Sequence, residues 1–597
     1  MGASRLVRIG SPYNGVELAE VDHAQTADVM YLAHIDHPPT VLERYSHTDW
    51  RFSTMTIGPA IAAPASLSAL ATTPNTDADN SGNAYFPQAS RYVVTAVDDE
   101  TGQESRGSPE ASATNDLTLK RNFTTLTWPA VTGADRYRVY KAVNTGGLGY
   151  IGTTEALTFV DDNIGPGYDQ GPPVGSNPFA AEGDYPSTVA MFEQRLLFAR
   201  TINRPNGIWG SRSAEFRNFD TSSPLRDDDA LALGVVAGRV NEVNQLASVS
   251  TLLALTSDAV FKIDGANEGG YLTGAQARAR RQIGRGSSRL DPLVIDSVVF
   301  YRPNTGSTVR AIGYSFEQDG FKADDVSIYS PHLFAGFSIK SWAYAQEPDS
   351  VIWAARSDGK LLCFTWEQEQ QVWGWTLCET DGEVESVCVV SEDGEDRLYL
   401  TVWRQIAGEG RLYIERMASS LWDDPEVACF LDCAAVREFE QPRTTINRLE
   451  FLEGRNVTVL GDGAWATGVP VENGSITLPP AIGEVSRVVI GLPYAVTVET
   501  LPLALGGEAP GRKQQLGSAV LRFRVAGAVD AGPAAGKLYP IKQRRDEPYG
   551  SADWLLTGDY RFDNERHVAG QVSVVIRQNA PLPFELTGAF LEPVVGD

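Results

Sequence analysis

A unit of two or three short apolar strands joined by tight polar turns recurs along the chain, and it constrains the fold more than any other feature. It appears as DVMYLAHIDHPPTVLERYSHTDWRFSTM at 28–55, TVAMFEQRLLFARTINRPNGIWGSRS at 188–213 and QLASVSTLLALTSDAVFKIDG at 245–265. It returns as VIDSVVFYRPNTGSTVRAIGYS at 294–315, VIWAARSDGKLLCFTWEQEQQVWGWTL at 351–377 and VESVCVVSEDGEDRLYLTVWR at 384–404. The runs are rich in Val, Ile, Thr, Tyr, Phe and Trp, which suit a pleated, half-buried surface. The turns are built from Asp, Gly, Asn, Pro or Ser, as hairpins require. Helical periodicity is scarce, and 56 Gly and 34 Pro punctuate the 597 residues. The pattern predicts an all-β chain, with a propeller-like platform of about six blades.

One region breaks the repeat. Within 84–173, RYVVTAVDDETGQES, LTLKRNFTTLTWPAVTGADRYRVYKAV and GYIGTTEALTFVDDN alternate strands with polar turns at intervals of about ten residues, the habit of a small β-sandwich. The stretch LTWPAVTGADRYRVYKA resembles a fibronectin type III domain, with Trp128 ending one strand and Tyr137, Val139 and Tyr140 on the next. Alternation puts Tyr137 and Val139 on one face and Arg136, Arg138 and Tyr140 on the other. The expected organisation is a first blade with the N-terminal segment (1–83), the inserted sandwich (84–173), the rest of the platform (174–448) and a C-terminal β-rich region (449–597).

Charge narrows the function classes. The chain has 76 acidic and 50 basic residues, a net charge of −26. It is not expected to hold nucleic acid by electrostatic attraction, which rests on cations that neutralise phosphates. The opening MGASRLVRIGSPY has no run of signal-peptide type, and no window approaches the ~20 apolar residues of a membrane helix. The five cysteines, Cys363, Cys378, Cys388, Cys429 and Cys433, lack paired CxxC spacing and read as reduced thiols, so the protein is expected to be made in a reducing cytoplasm.

The search for chemistry finds no catalytic, cofactor or metal motif. G-x-S-x-G and HExxH do not occur, and GRGSSR at 284–289 lacks the Lys-Ser/Thr that ends a P-loop. The acidic runs Asp227-Asp228-Asp229, Glu392-Asp393 and Asp423-Asp424 read as solvated turns, and SEDGED at 391–396 as a hairpin tip. Four of the six histidines, His23, His34, His37 and His47, lie close together in sequence with Asp36 and Asp49. Alternation puts His34 and Asp36 on one face and His37 on the other, with Pro38 and Pro39 ending the strand, so a metal site would need a bend. The segment 268–292 reads as helical and concentrates Arg278, Arg280, Arg281, Arg285 and Arg289. No aromatic residue interleaves them, which favours a solvated or subunit-facing surface over a nucleic-acid platform.

Several landmarks then coincide in order. ADVMYLAHIDHPPTVLERYSHTDWRF resembles the N-terminal signature of the tail tubular protein B family, the tail nozzle proteins of short-tailed bacteriophages (podoviruses). The family pattern is a strand ending in His, a Pro-Pro pair and a strand leading to Trp; here these are His34, Pro38-Pro39 and Trp50. Thr40 stands where the family usually has a basic residue. YPSTVAMFEQRLLFARTINRPNGIWGSRSAEFRNF (185–219) is similar to the second landmark, and SSRLDPLVIDSVVFYRPNTGSTVRAIGYSFEQDGFKADDVSIYSPHLFAG (287–336) to the third. AYAQEPDSVIWAARSDGKLLCFTWEQEQQVWGWTLCETDGEVESVCVV (343–390) is similar to the fourth, and GLPYAVTVETLPL with PLPFELTGAFLEP fits the family's ending.

The resemblance implies a structural virion protein, not an enzyme. Such proteins form a ring, usually a homohexamer, at the distal end of the tail and extend the tube through which the genome leaves. The implied partners are further copies of the chain, the tail adaptor or tube protein above, and tail fibres or needle-type proteins. Double-stranded DNA would pass without specific binding, and stable membrane insertion is not expected. The location would be the virion tail. The alternative is a glycan-binding or glycan-cleaving tail protein, marked by an exposed aromatic platform at Trp373 and Trp375 or by carboxylates paired across a cleft.

Overall fold

The computed structural model describes residues 8–76, 85–236, 241–265, 270–274, 276–422, 428–502, 514–533, 537–542, 555–563, 568–569 and 573–595. Asp423 and Asp424 therefore lie outside the described residues. The architecture is all-β and propeller-like. Six antiparallel meanders follow one another, each with strands hydrogen-bonded in sequence order. The first comprises Asp22–Thr26, Val29–His34, His37–Ser46 and Asp49–Thr54. The others span 188–234, 243–283, 293–325, 339–378 and 383–416, the last with three strands where the rest have four. The chain divides into two compact units, Met1–Val326 with four meanders and Ser327–Asp597 with two.

In the first unit, core forms wherever consecutive meanders face each other. Tyr31 and Val41 of the first pack with Leu196, Phe198 and Trp209 of the second. Leu197 and Ile208 of the second pack with Leu252, Ala254 and Phe261 of the third. Leu253 and Leu255 of the third meet Val299, Tyr301 and Ile312 of the fourth. The strand Arg195–Ala199 is buried throughout and feeds both of its interfaces, Leu196 and Phe198 on one face and Leu197 and Ala199 on the other. Burying each such large side chain contributes ~1.5–3 kcal/mol. Gly210 lets this layer close, because a Cβ there would stand 2.8 Å from a Leu197 methyl and 2.9 Å from Leu231.

The insert is two sheets facing each other. One is ordered Gly149–Thr154, Arg136–Val143, Gln88–Val97, Ala111–Asn115; the other is Thr158–Asp161, Phe123–Thr127, Ser68–Thr72. Trp128 and Tyr137 meet in the core between them, ring centroids 5.5 Å apart. One detail departs from expectation. The strand Ser68–Thr72 pairs with Phe123–Thr127, so the sandwich begins before residue 84. Tyr140 is buried, and its hydroxyl donates to Glu104 at 2.6 Å beside the Arg138–Glu104 ion pair.

In the second unit, the fifth and sixth meanders share a core of Ala355, Leu361, Val384, Val387, Leu398 and Val402. The C-terminal β-rich region starts earlier than residue 449, because the strand Asp432–Arg443 pairs with Val485–Leu492. It holds two further four-stranded sheets, one built on the long strand Gln514–Ala526, which pairs with both Leu556–Asp563 and Phe584–Val595.

Candidate functional site

Each opening strand of the first four meanders starts from a loop, and side chains at these four entrances converge. Asp22 begins the first meander, Thr188 begins the second, Gln245 lies in the opening strand Val243–Ser248 of the third, and Asp291 precedes the fourth, which opens at Leu293–Ile295. Asp22 is buried, and its Oδ2 accepts from the Thr188 hydroxyl at 2.5 Å and from the Val189 N–H at 3.0 Å. Its Oδ1 accepts from the His23 N–H at 2.7 Å. The Gln245 Nε2 donates to Asp291 Oδ1 at 2.7 Å and to the Arg289 carbonyl at 2.9 Å. The carboxyls of Asp22 and Asp291 are themselves hydrogen-bonded.

Two carboxylates in contact in a low-dielectric site cannot both be ionised, so one proton lies between them. Burial pushes both carboxyls up. At Asp22 three donors oppose the rise, while at Asp291 the charge on Asp22 adds to burial and pushes the carboxyl up to about 8, so the proton is assigned to Asp291. Asp22, His23 and Asp291 each place one possible ligand atom within 4.8 Å of the others, the one such trio among the described residues. Three donors fall short of the four protein ligands of a structural zinc site and the six to eight oxygens of calcium, and Asp22, the central one, already accepts three hydrogen bonds, so the geometry favours the proton. Chemically the group is a clasp: it joins the entrances of four sheets through charge-assisted bonds and a shared proton.

The histidines do not gather into one centre. His34 ends its strand, Ile35 and Asp36 form the turn, and His37 pairs with His34 across it. The two rings therefore share a face, 5.0 Å apart, against the expected opposition of His37 to His34. Pro38 and Pro39 lie inside the strand His37–Ser46 and do not end it; they occupy its beginning, where missing N–H groups are tolerated. His37 Nε2 is 3.2 Å from Glu17, and His47 is exposed. His23 alone reaches the carboxyl pair.

The other candidates have structural partners. Asp229 is buried, not solvated: it accepts from the Ser222 N–H and hydroxyl and from the Arg226 N–H, and Arg212 lies 3.3 Å away. Asp228 pairs with Arg212 at 2.6 Å, and the carbonyls of Asp227 and Asp229 cap the Arg195 guanidinium. Asp393 and Gly394 turn the hairpin between Glu383–Glu392 and Glu395–Ile406. Glu392 accepts from Tyr399 and pairs with Arg416. Trp375 is buried against Phe364, ring centroids 4.5 Å apart, so of the two tryptophans only Trp373 faces solvent. The segment expected to be helical contains the strand Arg278–Ile283, paired to Val260–Asp264.

The carboxyl pair escaped the sequence reading because its members are ordinary acids at strand entrances, in VDHAQT and SRLDPL. Thr188 and Asp291 do lie inside the second and third landmark segments, which is the one signal that pointed toward them.

No protein-family model matches the chain, and no curated protein matches it. Among solved structures it is similar to Sqt1 of Saccharomyces cerevisiae at 9% identity, with 66% of this chain and 83% of that chain covered and a TM-score of 0.29. It is similar to a protein from Lactobacillus plantarum at 13% identity, covering 55% of this chain and 96% of that one, TM-score 0.24. A putative 6-phosphogluconolactonase from Bacteroides fragilis is 11% identical over 55% of this chain and 93% of its own, TM-score 0.23. Likeness this distant says nothing of activity.

Proposed function

We propose that this chain is a structural subunit of a short-tailed phage nozzle: a ring at the distal end of the tail that extends the conduit for genome ejection. The observation that carries the reading is the ordered series of landmark segments, which fall in chain order on four of the six meanders. The first landmark supplies most of the first meander, the second most of the second, the third the whole fourth, and the fourth most of the fifth. The ring, in the family usually of six copies, would join the tube or adaptor protein above and fibres or needle-type proteins at its side or tip.

The net charge of −26 suits a passage that must not grip DNA. Carboxylates on the wall repel phosphates within a Debye length of ~8–10 Å. The sandwich, fibronectin type III-like in its sequence, serves as the peripheral docking element in this reading. Among the described residues no helix is long and apolar enough to cross a membrane.

The test is the mass of the purified chain in solution, with negative-stain images of the same sample and of a mixture with nozzle-free tails. Rings with a central hole, alone or on tails, are the expected result. Monomers that stay monomeric with tails overturn the reading and favour a glycan-directed protein, assayed on capsule or lipopolysaccharide.

A further inference from the structure

We propose that the strand Arg278–Ile283, the last strand of the third meander, is a docking edge for a carboxylate-bearing surface of a second copy of this chain. The proposal rests on the ring reading above and names one face of the subunit contact.

The strand ends its sheet, so its outer side has no strand partner among the described residues. Its register on Val260–Asp264 sets Arg280 opposite Lys262 and Arg278 opposite Asp264. Four cations, Lys262, Arg278, Arg280 and Arg281, therefore meet two carboxylates, Asp264 and Asp258. The ion pairs are long: 3.4 Å from Lys262 and 4.0 Å from Arg280 to Asp264, and 3.8 Å from Arg281 to Asp258. Asp264 is largely covered, while the Arg280 and Arg281 side chains remain 56% exposed. Among the described residues, these carboxylates leave cationic charge facing solvent.

Charge on an edge strand ordinarily guards against indiscriminate pairing. Here its effect toward copies of the same chain is the reverse. In a chain with 76 acidic against 50 basic residues, carboxylates outnumber cations, and a cationic edge attracts another copy where the net charge would repel it. The contact of one cationic edge with a different, acidic surface is heterologous, the kind from which a ring is built when the rotation closes. Nucleic acid is the weaker fit, because RARRQI carries no aromatic on which a base could stack.

The test compares the full-length chain with R278E/R280E, on exposed side chains whose reversal leaves the sheet's apolar face intact. Ring formation is read by mass and negative stain, alone and on nozzle-free tails, over a range of salt. The expected result is a rise of about tenfold or more in the concentration needed for half-assembly, reproduced in the wild type by raising salt. An intermediate shift for R278Q/R280Q, with thermal midpoints unchanged, separates charge from misfolding. Variants that assemble like the wild type overturn the docking edge and leave the ring standing. A wild type that forms no ring under either condition overturns the ring reading and the edge with it. Unchanged assembly with loss of binding to a short DNA duplex reassigns the edge to nucleic acid and also overturns the proposal.

Discussion

Lys141 and Asp161 form an ion pair of 2.7 Å in which both side chains are almost fully buried, and it joins the two sheets of the sandwich. Lys141 lies on Arg136–Val143 in one sheet and Asp161 ends Thr158–Asp161 in the other. The Lys141 ammonium also donates to the Ile164 carbonyl at 3.1 Å. Asp161 further accepts from the Tyr92 hydroxyl at 2.7 Å and from the N–H groups of Asn163 and Ile164. Every charge here is met, which is the condition under which a buried pair is tolerated.

D161A removes the carboxylate from beneath a buried ammonium and leaves the Tyr92 hydroxyl without its acceptor. The expected loss is about 3–5 kcal/mol, read from urea unfolding followed by hydrogen exchange at 88–97 and 136–161, the strands around this core. K141M/D161L, which removes both charges together, should recover most of that loss. A double variant as unstable as D161A would mean that the pair's hydrogen bonds to its surroundings, not its charges, hold the sheets.

The shared proton at Asp22 and Asp291 makes stability fall as pH rises. An unfolded Asp gives up its proton near ~3.9. The folded chain keeps it on Asp291 up to about 8. Between those values the folded state binds the extra proton, so unfolding free energy declines by about 1.4 kcal/mol per pH unit from this group. D291N mimics the protonated acid: its oxygen still accepts from Gln245 and its amide can donate to Asp22. Denaturant midpoints at pH 5, 7 and 8.5 should decline less steeply in D291N than in the wild type, with the variant the more stable at pH 8.5. Parallel profiles would place the proton elsewhere.

Arg106 fixes the sandwich to the second meander. Its Nε and Nη2 donate to the two oxygens of Asp220 at 2.8 and 2.7 Å, and Asp220 is buried. The Ser176 N–H, at 2.8 Å from Asp220, is the other donor to this carboxylate among the described residues. R106A should cost about 1–3 kcal/mol and speed proteolytic cleavage on either side of the sandwich, with its own core intact. Unchanged cleavage would mean that other contacts hold the domain in place.

Apolar runs and turn chemistry made the six meanders legible, because a strand buried on both faces, such as Arg195–Ala199, reads as a short continuous apolar run between turns. Four features needed contacts that no local pattern carries. Ala, Arg and Gln favour helices, so RARRQI reads as one until Val260–Asp264 supplies its register. Pro38 and Pro39 read as a stop, yet a strand can begin with residues that lack N–H donors. Asp22 and Asp291 belong to different sheets, and only the stacking of four meanders brings their carboxyls together. The sandwich's early start is of the same kind, since Ser68–Thr72 is too short to declare its sheet without Phe123–Thr127 beside it.

Arg404 offers the clearest test in the second unit. It is a fully buried arginine on the middle strand of the sixth meander, Glu395–Ile406. Its Nε and Nη2 hold Glu415 on the next strand at 2.6 and 2.7 Å. Its Nη1 and Nη2 hold Asp432, at the start of the C-terminal region, at 3.2 and 2.9 Å. The Asp381 carbonyl and the Thr380 hydroxyl complete the shell, and Thr380 also donates to Asp432. One planar fork thus ties the last meander to the region that follows it, a geometry an ammonium cannot reproduce. R404K should lose about 2 kcal/mol or more, since one point charge cannot serve two carboxylates bidentately. R404M should lose about 3–5 kcal/mol, because it leaves both carboxylates facing an apolar side chain. Unfolding of the full chain in urea, followed by tryptophan fluorescence and by hydrogen exchange at 395–443, would locate the loss. An R404K midpoint equal to that of the wild type would show that charge alone, without the fork, holds the two elements together.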